Sequence, residues 1–305
     1  MSKDILSDKE SLVKKASYLR IVAADLASSM KSGNFKSLYK GQGIELSGVR
    51  DYIPGDDIRA FDWNVTARMG RPYVKVFEEE RELQIFIVID SSASMHLASG
   101  NFNYGKTKYN VASEAAAILT LASELNSCPI GAVLFDGEVN FSYKPALSKA
   151  QTMTIITHLD KISSCKINNT PGTALGSALA GAEKLLKTRS LVFVFSDFRS
   201  ANWEKPLISL AHKNNVVAFR MEDKTDRELP KIGTVVFQDV ESGIKMNLPS
   251  SSVKFQKEWQ KYNEENIASW SDFCKKHGVL PVVFDTKSEP LNVLNSIFCK
   301  KMKRS

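Results

Sequence analysis

Residues Leu83 to Ile89 form an apolar run, interrupted by Gln84 alone, that ends directly in Asp90-Ser91-Ser92-Ala93-Ser94. A stretch this apolar reads as a buried strand, and the residues after it are ones that end a strand and turn the chain. The strand thus delivers one carboxylate and two spaced hydroxyls to its own C-terminal tip, which suits a small, hard cation. The plainer reading is an Asp/Ser turn whose side chains bond local backbone.

The rest of the chain places this strand in a sheet. After it comes a helix whose expected inner face is Val111, Ala115, Ile118, Ala122 and Leu125, then a strand at 130–135. Asp136-Gly137 joins Gly131–Phe135 to Val139–Tyr143, a strong hairpin signal that predicts one antiparallel edge strand. Helices are expected at 147–160 and 174–187, then the strand Leu191–Phe195, a helix near 203–213 and the strand Val216–Arg220. A hairpin-like insertion near 233–248 follows, with arms Thr234–Phe237 and Ile244–Asn247. The helix over 253–277 carries Phe255, Trp259, Tyr262, Trp270 and Phe273 at core-forming spacing, and a strand at 280–284 and a helix near 290–301 close the chain. Alternating helix and strand periods predict an α/β, doubly wound, mostly parallel sheet.

Upstream, Ser7-Asp8-Lys9-Glu10 has the form of a capping box, followed by a helical stripe of Leu12, Ala16, Leu19, Ala23, Leu26 and Met30. Residues 37–80 read as short strands, turns and loops. The expected division is therefore a module at 1–80, an N-terminal helix plus a small turn-rich segment, and a sheet domain at 81–305.

Two further segments bear on the cation. Asn168-Asn169-Thr170-Pro171-Gly172-Thr173 precedes the helix expected from Ala174, which would make Thr173 its N-cap. The strand Leu191–Phe195 runs into Ser196-Asp197-Phe198, a second carboxylate at the tip of a second strand. Doubly wound sheets bind ligands beyond the carboxyl ends of their strands, where strand order reverses. If their strands are neighbours there, Asp90 and Asp197 face one crevice. Asp90, Ser92, Ser94, Thr173 and Asp197 make an all-oxygen set, suited to Mg²⁺ or Mn²⁺ and too hard for zinc or copper.

The net charge of +7 and pI near 9.1 lie partly in the tail Lys300, Lys301, Lys303 and Arg304, and no nucleic-acid motif accompanies them, so no nucleic-acid partner is expected. No apolar stretch reaches the ~20 residues of a membrane span, Val111–Leu125 being broken by Glu114 and Glu124, so no membrane insertion is expected. The chain opens on charged Lys3 and Asp4, and the expectation is a cytoplasmic protein. Cys128, Cys165, Cys274 and Cys299 are scattered, as reduced packing thiols would be, and no structural zinc is expected.

In order and context, Asp90, Ser92, Ser94, Thr173 and Asp197 resemble the metal-ion-dependent adhesion site of von Willebrand factor A domains. The resemblance implies that the serine and threonine hydroxyls contact the metal, that the aspartates act directly or through water, and that a partner's acidic residue completes the set. Upstream, Gly41-x-Gly43, Glu45, Arg50-Asp51-Tyr52-Ile53-Pro54-Gly55-Asp56-Asp57-Ile58-Arg59, Phe61-Asp62-Trp63, Ala67-Arg68 and Val74-Lys75 resemble the signature of the bacterial family called domain of unknown function 58. That resemblance covers about residues 38 to 243. It implies an adaptor or chaperone-like role beside MoxR-type AAA+ ATPases and membrane-anchored von Willebrand A proteins. One departure is Pro171-Gly172-Thr173, where the family often has two glycines before the threonine.

The sequence offers enzymatic alternatives. The same carboxylates could serve a Mg²⁺- or Mn²⁺-dependent hydrolase, a nuclease or a phosphatase. The cluster Asp51, Asp56, Asp57, Arg59, Asp62 and Arg68 reads better as Arg–carboxylate pairs holding a turn-rich segment together. An aspartyl-phosphate mechanism would often place a second acid where Ser92 stands. No G-x-S-x-G or Walker A segment is present, and His96 is the histidine nearest the site in sequence. A non-enzymatic, metal-dependent interaction module is the preferred expectation.

Overall fold

The computed structural model describes residues 22–27, 45–78, 83–96, 106–164, 174–227, 234–238 and 245–299. The chain divides into two compact units, Tyr39–Leu83 and the remainder.

In the larger unit the apolar runs become strands β3 (Ile85–Asp90), β4 (Ile130–Phe135), β5 (Val139–Ala146), β6 (Leu191–Ser196), β7 (Asn215–Glu222) and β10 (Leu280–Asp285). They form one six-stranded sheet in the order β10-β7-β6-β3-β4-β5. Every neighbouring pair is parallel except β4–β5, the edge hairpin predicted by Asp136-Gly137. All six residues of β3, β4 and β6 are buried, as strands covered on both faces must be. The mixed α/β, mostly parallel architecture thus follows the expectation.

Helices cover both faces. Leu175, Ala178, Leu179 and Ala182 of α5 (Leu175–Leu185), Leu207 and Leu210 of α6 (Glu204–Lys213), and Trp270 and Cys274 of α8 (Val253–Lys276) join a core with Phe86, Val88, Val192 and Val194. On the other face lie α3 (Lys108–Leu125), α4 (Lys149–Ser164) and α9 (Pro290–Cys299), with Phe298 against Phe193 and the Tyr109 hydroxyl donating to the Leu159 carbonyl at 3.0 Å. Two expected core residues are exposed, Leu125 at 53% and Tyr262 at 61%. Leu125 is the last residue of α3, whereas Tyr262 lies in the first half of α8, where no residue is fully buried, and apolar spacing does not mark how far along a helix the core extends. A short helix after β7, α7 (Lys224–Arg227), has no counterpart in the sequence reading. Strands β8 (Thr234–Gln238) and β9 (Lys245–Pro249) pair antiparallel as the expected hairpin.

The expected division at residue 80 places the first helix with the turn-rich segment, and the structure differs. Residues 22–27, here α1, belong to the larger unit, where Asn126 Nδ2 donates to the Ala27 carbonyl and Asn295 Nδ2 to Asp25, each at 3.2 Å. The apolar stripe of α1 packs on the helical layer, with Ala23 and Leu26 fully buried. The capping box at Ser7–Glu10 lies outside the described residues.

The smaller unit pairs β1 (Glu45–Asp51) with β2 (Tyr73–Glu78) antiparallel and contains a helix, α2 (Trp63–Met69), that the sequence reading took for turns and loops. Asp62 caps α2 by accepting from the Asn64 and Val65 N–H groups, and Gly70 ends it at φ 67. Arg50 and Asp56 form the expected kind of bidentate pair, both contacts at 2.7 Å. Asp57 serves instead as a cap, accepting from Arg59 N–H. Tyr52, Phe61 and Trp63 stack in sequence with centroids 5.2 Å apart.

Candidate metal centre

Strand order reverses at β3. The chain passes from β3 to β4 on one side, then returns through β6 on the other. Asp90 ends β3, β6 is paired with it as Ile89 with Phe195, and Asp197 directly follows β6. The two carboxylates therefore stand side by side at the switch point, where such sheets hold ligands.

Each acid is built in by its neighbours. Asp90 is fully buried, and its Oδ1 accepts from Ser92 N–H at 2.9 Å while its Oδ2 accepts from the Ser196 hydroxyl at 2.6 Å. The turn after β3 is pinned to β4 through Ser91, whose N–H and hydroxyl donate to the Phe135 carbonyl at 2.7 and 2.8 Å. A 3-10 turn over Ala93–His96 then brings the Ser92 and Ser94 hydroxyls to 3.2 Å from one another, both buried. Asp197 accepts from Lys108 Nζ at 3.2 Å and from Arg199 N–H at 3.3 Å. Behind it Phe198 is held at φ 53, a left-handed conformation rare for such a residue. The Ser196 hydroxyl accepting from Phe198 N–H, and packing of the ring on Trp203 and Trp270, hold it there.

The two acids have different electrostatics. Burial, then the charge of Asp197, pushes Asp90 up to about 7, despite the serine donors that oppose the shift. Burial works to raise Asp197 as well, but the cations Lys108 and Arg199 and the Ser94 hydroxyl outweigh it and hold its carboxyl below the usual range. Two buried carboxylates and a converging pair of hydroxyls fit a hard divalent cation. Among the described residues no group of three or more His, Cys, Asp or Glu side chains is placed to hold a metal ion. The candidate centre draws on hydroxyls for the balance of its donors.

Of the five predicted ligands, Asp90, Ser92, Ser94 and Asp197 come together. Thr173 lies outside the described residues. Helix α5 starts one residue later than expected, with Ala174 at its N-cap. His96 stacks on Tyr109 at 4.7 Å, and burial lowers its pKa, as for a packed ring. The sequence reading missed Ser196, Lys108, Arg199 and Asp226. Ser196 adjoins Asp197 and was within reach of a closer reading of the strand tip. Lys108 and Asp226 are brought in from α3 and α7 by the fold alone.

Residues 48–269 match the family described as Protein of unknown function DUF58. This chain belongs to the DUF58 family. An uncharacterized protein of Mycobacterium tuberculosis, Rv1480, is 30% identical over 216 residues, which cover 70% of this chain. The matched region spans 65% of that relative's length. No activity is named for the family or for this relative. Among solved structures, BatB of Bacteroides thetaiotaomicron is 16% identical with a TM-score of 0.43, over 70% of this chain and 96% of that one. An aerotolerance-related membrane protein of Bacteroides fragilis is 15% identical with a TM-score of 0.47, over 71% and 98%.

The description of that last protein as a membrane protein runs against the expectation of a cytoplasmic protein, which is withdrawn. None of the described helices is long and apolar enough to cross a membrane.

Proposed function

We propose that the larger unit of this DUF58 chain is a von Willebrand A-like interaction module whose Asp90, Ser92, Ser94, Thr173 and Asp197 hold Mg²⁺ or Mn²⁺. The observation that carries this reading is the convergence of Asp90, Ser92, Ser94 and Asp197 from two adjacent parallel strands at the point of strand-order reversal. Hydroxyl donors add no charge, so the bound ion would supply an electrophilic position for one further carboxylate from a protein partner. The chain's own part is positional. The Ser91 bonds to Phe135 lock the tip of β3, Ser92 N–H and Ser196 orient Asp90, and the strained turn at Phe198 aims Asp197.

The reading is non-enzymatic. The DUF58 resemblance supports an adaptor or chaperone-like role with a MoxR-type AAA+ ATPase or a membrane-anchored von Willebrand A protein as the acidic partner. The test is partner capture by wild type, Asp90→Ala and Asp197→Ala, with and without EDTA, beside calorimetric titration with Mg²⁺. Loss of one member of a desolvated ionic contact costs about 2–5 kcal/mol, enough to abolish co-purification of a micromolar complex. Capture indifferent to EDTA and to both substitutions would defeat the proposal. Metal-dependent phosphodiester or phosphomonoester turnover lost in the same variants would replace it with a hydrolase.

A further inference from the structure

Lys108 is the first residue of α3, and its side chain is 3% exposed. Its ammonium lies 3.2 Å from Asp197 Oδ2 and 3.3 Å from Asp226 Oδ2. The N-terminus of a helix is the positive end of its dipole, so α3 does nothing to stabilise this buried cation. The carboxylates of two other segments do, and a buried ion persists only when so paired. Asp226 is further held by Arg199 at 2.7 Å and by Asp223 N–H at 2.9 Å. Asp90, by contrast, is bonded by the neutral donors Ser92 N–H and Ser196 hydroxyl.

The charge balance of this cluster has a consequence for the metal reading, on which the inference rests. Lys108 and Arg199 pair with Asp197 and Asp226, and Arg220 and Glu222 alongside pair with one another, so with Asp90 added these seven groups leave one net negative charge when all are ionised. A divalent cation alone converts that to one net positive charge in a buried site, which is unfavourable. A single carboxylate from outside cancels it. Without Lys108 the same groups carry two net negative charges, and the divalent cation is balanced with no help.

We propose that Lys108 is a positioning residue that couples cation binding to partner binding. By neutralising part of Asp197 from within, its ammonium keeps the site weak for a divalent ion until an acidic side chain arrives with it. Lys108 is then what makes the site a two-component lock and not a constitutive metal centre.

The test titrates the full chain with MnCl₂ alone by calorimetry and follows melting temperature with and without MnCl₂, for wild type, Lys108→Met, Asp226→Asn and Asp90→Ala. Lys108→Met is expected to bind Mn²⁺ tighter by about tenfold or more, because a full charge has left a site of low effective dielectric. Its melting temperature should fall without metal and recover with it. Asp226→Asn shifts the balance the other way and should bind Mn²⁺ more weakly than wild type. A merely structural lysine would give no gain in affinity. Should Lys108→Met not fold, Lys108→Gln removes the same charge with a polar side chain, and Asp226→Asn tests the opposite sign. Binding that is equal in wild type and both Lys108 variants, yet abolished in Asp90→Ala, overturns this inference and leaves the metal reading standing. No Mn²⁺ binding by any of the proteins overturns both.

Discussion

Asp90 offers its two oxygens to one backbone N–H and one hydroxyl, and sits fully buried beside a second acid. In an unfolded chain an aspartate titrates near 3.9, whereas here burial and Asp197 push it up to about 7. Between those values the folded state holds more protons than the unfolded state, so this group's contribution to stability is lost as pH rises through the window. The metal-free protein should therefore melt at progressively lower temperature between about pH 4 and pH 7 relative to Asp90→Asn, in which the titration is gone. Scans at several pH values in EDTA check this, and a wild-type profile parallel to that of the variant would contradict it. Saturating Mg²⁺ should flatten the wild-type profile, since the cation takes the place of the proton. A second expectation concerns Ser196. Ser196→Ala leaves both Asp90 Oδ2 and Phe198 N–H without their partners, at a cost of about 1–3 kcal/mol in urea unfolding. A cost near zero would mean that Asp90 is satisfied from elsewhere.

At the scale of the element, the edge hairpin depends on one glycine. The β4–β5 register shifts between Ile130 and Ala132, and the backbone of β5 crosses closely over Gly131. A Cβ at Gly131 would stand 2.6 Å from the Tyr143 carbonyl oxygen, 2.7 Å from Pro145 N and 2.8 Å from the Phe86 ring. Two of the three neighbours are backbone and cannot step aside as a flexible side chain would. Gly131→Ala should destabilise the larger unit by about 1–3 kcal/mol, the usual cost of overpacking. Amide exchange across β5 should accelerate, and unchanged protection there would show that the hairpin can shift without loss.

At the scale of the whole unit, one sheet face is a ladder of phenylalanines. Phe219 of β7 stacks on Phe195 at 4.5 Å and contacts Phe193 at 6.1 Å and Phe284 at 5.8 Å, so it joins β6, β7 and β10 in one contact set. Phe219→Ala should cost about 3–5 kcal/mol, because a cavity among large rings on rigid strands relaxes little. Chemical denaturation followed by far-UV circular dichroism reads this directly. A loss below about 1 kcal/mol would mean that the helices collapse into the gap.

The order of elements from residue 83 onward, the antiparallel edge at Asp136-Gly137 and the acids at the tips of β3 and β6 were legible in the chain itself, because each is written in local periodicity or a local turn. Four of the five predicted ligands could be named for the same reason: they adjoin strands that announce themselves. The adjacency of β3 and β6 came from the tertiary structure alone, for it depends on which strands pair across more than a hundred residues of chain. So did the helix α2, whose cap Asp62 looked like one more acid among arginines, and the exposure of Leu125 and Tyr262, two positions that share the apolar spacing of buried neighbours. Lys108 marks the boundary most clearly. In sequence it is a lysine at the start of an amphipathic helix, a position usually turned to water. Only the packing of α3 against the tips of β6 and α7 buries its ammonium between two carboxylates, and burial is what turns an ordinary surface charge into a determinant of the site.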